Sequence, residues 1–379
     1  MKKVLFVATV VKKHINAFHL PYLKWFQENG YETHVCASND FENQGDLEIP
    51  FCDKYYDLSF ERSPFKFNNI KVYKNLKNII DENNYDIIHC HTPMGGVLTR
   101  IASKAARTTG TKVIYTAHGF HFYKGAPLKN WLLYYPIEKW LSKYTDSLVT
   151  INDEDHEIAN RKFKVENVSL INGVGVNFTE FIPQTNENKQ QLRKMYGYTE
   201  KDFILIYVGE LSYRKQQDFL IDIISRVKNE IPNIKLLFIG EGELLESYKT
   251  QSINLGVEDR VEFLGFRKDI SNLMVIADVA VSSSRQEGLP VNIMEAMSTG
   301  LPIVVTDCRG NRDLIENEKN GFVISLKDRE GFAKAIVKLN HFSALRQEFS
   351  NENLRISTKY SLENVMEAMT SMYKSLSKD

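Results

Sequence analysis

Short β-branched runs alternate with segments of helical period along this chain, and the cycle is completed twice. That pattern constrains the fold to parallel sheets with crossover helices, because parallel neighbours need a long return connection. The first cycle predicts strands over 4–10, 32–37, 87–90, 112–115 and 147–151, and a helix over 17–29 interrupted by Pro21. From 171 to 186 the pattern loosens around Gly173, Gly175 and Pro183, as a linker would. A second cycle follows, with strands over 203–208, 235–238, 261–263, 279–282 and 303–305 and a last helix over 360–377. Most strands end at polar or glycine residues, and ligands of open parallel sheets bind at that edge. The 379 residues suit two domains at roughly 100–200 residues each.

Composition removes several function classes. Lysine plus arginine and aspartate plus glutamate both number 48, which gives no case for nucleic acid as a partner. Cys36, Cys52, Cys90 and Cys308 are scattered without a CxxC pair, as expected of reduced thiols in a cytosol. The apolar run at 4–11 is short and Lys12-Lys13 follow it, so no leader peptide is expected; nor does any run reach the roughly 18 residues of a membrane span. No GxGxxG follows either first strand, which disfavours a dinucleotide dehydrogenase.

The chemistry concentrates in Glu287-Gly-Leu-Pro-Val-Asn-Ile-Met-Glu295. Pro290 suits the first helical position, so Leu289, Pro290 and Val291 mark a helix start whose unpaired N–H groups and dipole favour a phosphate. Glu287 then lies in the loop, placed for sugar hydroxyls, and Glu295 lies one to two turns inside, placed for a ribose diol. An isolated pair of this kind is more simply an acidic loop residue and a surface helical residue; the neighbouring strand ends decide otherwise. Gly209-Glu-Leu-Ser-Tyr-Arg-Lys215 follows a strand and brings two cations, Arg214 and Lys215, into a helix start where they can clamp a diphosphate. Gly240-Glu-Gly242 and Gly265-Phe266-Arg267 follow the next strands, where a base can lie against the backbone.

These segments, with Thr116-Ala-His118-Gly119, resemble the retaining glycosyltransferases of family 4, and the resemblance covers nearly the whole chain. His89-Cys-His-Thr-Pro-Met-Gly-Gly96 and Ala117-His-Gly-Phe120 are similar to the bacterial capsule and exopolysaccharide subgroup. The resemblance implies the α/β GT-B fold, two facing Rossmann-like, doubly wound parallel-sheet domains with a cleft between them. It makes 1–178 the acceptor domain, 188–358 the nucleotide-sugar domain, and 360–379 a helix packing back on the first. It implies that Glu295 binds ribose, Glu287 the donor sugar, Lys215 the diphosphate, and His118 the reacting region, so His118, Glu287 and Lys215 form the catalytic set. Gly209, Arg214, Gly240, Phe266, Arg267, Leu289, Pro290 and Val291 complete the donor site. Two departures stand out. Glu210 occupies a position where many members carry Arg, and 10–18 lacks the family's paired glycines, which suggests acceptor selection by His14, Asn16 and His19, with Gly95 and Gly96.

Eight of nine histidines precede residue 160. His89 and His91 share a face of one strand, but no nearby Cys, Asp or Glu completes a set, so no metal is expected. Asp153-Glu-Asp155 fits the first turn of a helix better than a cation site. Basic and aromatic residues interleave over 12–25 and 123–144, which suits an anionic membrane surface. The expected protein is a cytoplasmic, peripheral enzyme of the inner membrane face without cofactor, moving a hexose or N-acetylhexosamine from a UDP-sugar to a polyprenyl-diphosphate-linked saccharide. A nucleotide-sugar epimerase of the same fold, or an idle nucleotide-sugar-binding subunit, are the competing readings.

Overall fold

The computed structural model describes residues 1–61, 63 and 66–377. The chain forms two compact units, Met1–Gly173 together with the chain from Val365 onward, and Val174–Asn364.

The first unit is a parallel sheet of seven strands: β1 Lys2–Val10, β2 Tyr31–Ser38, β3 Lys54–Asp57, β4 Ile87–His91, β5 Lys112–Ala117, β6 Ser147–Thr150 and β7 Asn167–Leu170. Their order is β3-β2-β1-β4-β5-β6-β7. Val4 to Ala8 are fully buried, because helices cover both faces of the central strand and leave no polar side to alternate with. One face packs Leu5, Val7, Leu76, Ile88 and Val113; the other packs Val4, Phe6, Phe26, Val35 and Ile114. The helix Leu362–Leu376 closes this second face with Val365, Met369 and Tyr373. Residues 378 and 379 of the expected terminal stretch lie outside the described residues.

The second unit is a parallel sheet of six strands: β8 Phe203–Val208, β9 Ile234–Ile239, β10 Val261–Phe263, β11 Val279–Ser282, β12 Ile303–Thr306 and β13 Gly321–Ile324. The order is β10-β9-β8-β11-β12-β13, around a core of Leu205, Phe219, Leu236, Phe238, Val281 and Phe332. Strands β3, β7 and β13 went unread in the sequence: they are short edge strands, only partly buried, so they lack the continuous apolar run that marked the central strands. Pro21 does not interrupt a helix. The chain makes a π-helical turn at Val11–Asn16, then starts the helix Leu20–Glu28 with Pro21 in its first turn, where the missing N–H costs no hydrogen bond. Val176, in the expected linker, bridges to Ser361, and a Cβ on Gly175 would lie 2.7 Å from Leu362 Cα. No helix among the described residues is long and apolar enough to cross a membrane.

Candidate active site

The order in which strands are added reverses once in each sheet, between β1 and β4 and between β8 and β11, and the polar clusters of each unit lie beyond these strand pairs. In the second unit the turn after β8 and the loop after β11 meet. Lys215 Nζ lies 2.6 Å from Glu287 Oε1, and Arg214 Nη1 lies 3.0 Å from Glu287 Oε2. Lys215 and Glu287 are buried, at 8% and 7% exposure. Burial pushes the Glu287 carboxyl up, but Lys215 and then Arg214 outweigh it and hold the group below its ordinary value, so it is ionised. The frame behind the pair is polar and buried. Tyr207 donates to the Lys215 carbonyl (3.1 Å) with Ser284 Oγ 2.9 Å away, and Ser283 donates to the carbonyls of Lys215 and Gln216 at 3.0 and 2.8 Å.

The two cations do not enter a helix, as the sequence suggested. The helix begins later, at Gln217, and Gln216 takes φ 56° to turn the chain, so Arg214 and Lys215 face back toward Glu287. Pro290 likewise precedes its helix, Val291–Thr299, as the cap residue; its extended ψ of 116° ends the loop, and its carbonyl accepts the first intrahelical bond from Ile293. Asn292 Nδ2 donates to the Val208 carbonyl at 2.8 Å and ties the helix start to β8. Leu289 is buried and Val291 half-buried at that start. Glu295 is half-buried one turn further in, and burial, then the nearby Glu180, push its carboxyl up to about 7.

The glycines have a packing reason. A Cβ on Gly240 would sit 2.2 Å from the Gly209 carbonyl oxygen, so the two loops touch backbone to backbone. Glu210 is exposed, and its carbonyl accepts from Gln217 at 2.8 Å. Phe266 is 68% exposed, whereas Arg267 is forked onto Asp269 at 2.8 and 2.6 Å. Arg309 escaped the sequence reading. It is buried, and its Nε donates to the Glu287 carbonyl at 3.3 Å. Its neighbour Gly310 takes φ 78°, and a Cβ there would lie 2.5 Å from the Gly288 carbonyl oxygen. Cys308-Arg-Gly-Asn311 after β12 was the available signal.

In the first unit, His14 in the π-helical turn, His19 at the cap of the next helix, His91 at the end of β4 and His118 after β5 converge. One ring nitrogen from each lies within 4.8 Å of every other. His89, paired with His91 in the sequence reading, turns away to Tyr373 and Thr116, at 2.8 Å each. Burial lowers His118 to about 4 and His14, His19 and His91 well below their ordinary value, so the rings are neutral. Asn16 donates to the Glu48 carbonyl at 2.8 Å. Gly95 and Gly96 are buried in the helix Pro93–Ala102, where a Cβ would meet Thr92 Oγ1 at 2.7 Å and the Tyr115 ring at 2.5 Å, respectively. Both glycines therefore have a packing reason. Asn152 caps the helix by accepting from the Asp155 N–H, and the Asp155 carboxylate accepts from the Phe120 N–H at 2.9 Å, anchoring the loop that carries His118. A pocket of about 430 Å³ opens beside the cluster, lined by His14, Thr92, Met94, Tyr115, His121 and Tyr134 among others.

Two Rossmann-like parallel-sheet units, one with basic groups and a helix start at its switch point, have the architecture of the GT-B fold. Residues 188–355 match the family of glycosyl transferases group 1, and residues 3–152 match the glycosyl transferase 4-like family. The chain therefore belongs to the family 4-type glycosyltransferases. It is 45% identical over 98% of its length, and 96% of the other's, to EpsD of Bacillus subtilis (strain 168), a protein assigned as a glycosyltransferase. It is 30% identical, over 82% of each chain, to the UDP-Gal:alpha-D-GlcNAc-diphosphoundecaprenol alpha-1,3-galactosyltransferase of Escherichia coli. Among solved structures it is similar in fold to Anabaena Alr3699/HepE, crystallised with UDP and glucose (TM-score 0.81, 20% identity, covering 99% of this chain and 100% of that one).

Proposed function

We propose that this glycosyltransferase retains anomeric configuration and moves a hexose or N-acetylhexosamine from a UDP-sugar to a polyprenyl-diphosphate-linked saccharide, as a step in cell-surface polysaccharide synthesis. The observation that carries the donor half is the buried Lys215–Glu287 pair with Arg214, beside the helix start at Val291. An ammonium has three donors and a guanidinium five, so Glu287 orients both cations and leaves N–H groups for a diphosphate. The carboxylate in turn keeps lone pairs for sugar hydroxyls. Charge developing on the leaving diphosphate would be stabilised by Lys215, Arg214 and the helix dipole, with no divalent ion required at that point. Glu287 is committed to its two cations, and we take its role to be hydrogen bonding to sugar hydroxyls, with same-face attack in which a departing phosphate oxygen takes the acceptor proton. The name of the Escherichia coli relative supports a UDP-linked donor and a lipid-linked acceptor.

His118 belongs to the first unit, and its proposed role is contact with the transferred sugar. The exposed apolar residues Leu128, Leu132 and Trp140 of the helix Leu128–Leu141, among Lys129, Lys139 and Lys143, support peripheral attachment to an anionic inner membrane face. The test is a panel of UDP- and GDP-sugars with and without polyprenyl-diphosphate-linked acceptors, without added magnesium or manganese. Transfer from one UDP-sugar, with product of the donor's anomeric configuration, is expected. Transfer that occurs only from GDP-sugars, or only with an added divalent ion, would refute the donor assignment.

A further inference from the structure

We propose that His14, His19, His91 and His118 form a transition-metal site of the zinc class in the first unit. Four ring nitrogens of this cluster, Nε2 of His14, both nitrogens of His19 and Nε2 of His91, are buried without a hydrogen-bond partner among the described residues. Each such group costs about 1–3 kcal/mol if it stays unpaired, and an ion that takes one nitrogen from each ring would relieve one on His14 and one on His19. His19 and His91 are each 1% exposed, and their rings stack at 3.8 Å between centroids.

The donor set selects the ion. Calcium and magnesium take oxygen ligands, and none is offered here; uniform imidazole suits zinc and its first-row neighbours. Zinc–nitrogen bonds of about 2.0–2.1 Å in a tetrahedron place neighbouring ligand atoms roughly 3.3 Å apart. His91 Nδ1 and His118 Nε2 are 3.4 Å apart, and one nitrogen from each of the four rings lies within 4.8 Å of the others, so binding an ion would require the remaining rings to turn inward. The four come from the turn after β1, the cap of the following helix, and the ends of β4 and β5, so one ion joins three strand ends at the switch point.

Coordination would fix the six-residue π-helical turn, which has only Val11 and Ile15 buried of its own. A His118 ring coordinated through Nε2 is held with its hydrogen on Nδ1, a fixed donor at the edge of the unit. The site stands independently of the donor chemistry, because its test needs no transfer reaction.

Metal-free full-length protein is dialysed against zinc and its bound metal measured, and cobalt(II) is added in parallel to read the coordination number from its visible spectrum. One equivalent retained, with the strong absorption of a four-coordinate site, is expected. His19→Gln and His91→Gln should each weaken zinc binding by at least about a hundredfold, whereas His89→Gln, whose ring is satisfied by Tyr373 and Thr116, should retain it. Absence of saturable binding at micromolar zinc, a weak six-coordinate cobalt spectrum, or equal binding by the His19→Gln/His91→Gln double variant would overturn the site and leave the cavity to water. The cobalt spectrum of the unaltered protein decides the matter even where a variant does not fold.

Discussion

Lys215 and Glu287 are two long charged side chains held at less than a tenth exposure, and that environment sets what each substitution does. Lys215→Ala removes the closest cation from a buried carboxylate, and should lower kcat/KM by the equivalent of about 2–5 kcal/mol of transition-state stabilisation. Steady-state kinetics check this, and a loss below tenfold would move the leaving-group charge to Arg214 alone. Glu295 offers a pH signature. Its folded pKa, about 7, stands above its ordinary value of 4.5, so the native state holds a proton that the unfolded chain has released. The stability this contributes is present below pH 4.5 and is lost as the pH rises through about 7. A ribose diol donating to the carboxylate favours the ionised form, so UDP binding should release a proton and tighten across that same interval. Calorimetry in buffers of differing ionisation enthalpy measures the proton, and Glu295→Gln should abolish both the release and the pH dependence.

At the scale of elements, the helix Leu128–Leu141 and the turn leading into Leu20–Glu28 part company, although both read as membrane-facing in sequence. Tyr22, Leu23 and Phe26 are core, and Trp25 stacks on Tyr373 at 5.7 Å, so that segment spends its aromatics on packing. Leu128 and Leu132 instead stand 73% and 71% exposed. Changing Lys124, Lys129, Lys139 and Lys143 together to Ser should release the protein from anionic vesicles, at about 1 kcal/mol per lysine near the headgroups, and leave UDP-sugar hydrolysis nearly intact. Co-sedimentation at low and high salt reads the effect; wild-type protein that stays in the supernatant at low salt would return this face to another use.

On the scale of the whole molecule, the chain leaves its first unit at Gly173 and re-enters it at Val365, so the last helix reports on residues more than 280 positions away. Tyr373 is fully buried, packs on Phe26 at 4.6 Å, and shares a 2.8 Å hydrogen bond with His89 Nδ1. Tyr373→Ala should destabilise the first unit by about 3–5 kcal/mol, and Tyr373→Phe by about 1–3 kcal/mol through the stranded imidazole. Urea denaturation measures both, and a Tyr373→Phe loss near zero would mean that the hydroxyl contributes nothing.

Local chemistry was legible without coordinates. The alternation of β-branched runs and helical segments determined two parallel-sheet halves, since periodicity and turn residues act over a few positions, and the loop between Glu287 and Glu295 announced a helix start with carboxylates on both sides. What neighbours do at long range was not legible. Lys215 meets Glu287 across 72 positions because β8 and β11 are adjacent in the sheet, an adjacency that no local pattern encodes. The same limit separated His89 from His91. A strand gave them one face, but only the packed helix with Tyr373 draws the first away, and only the turn after β1 brings His14 and His19 to the second. Sequence fixes which elements form, because their causes are local; which side chains share a site depends on strand order and crossover paths, decided by burial of the whole chain.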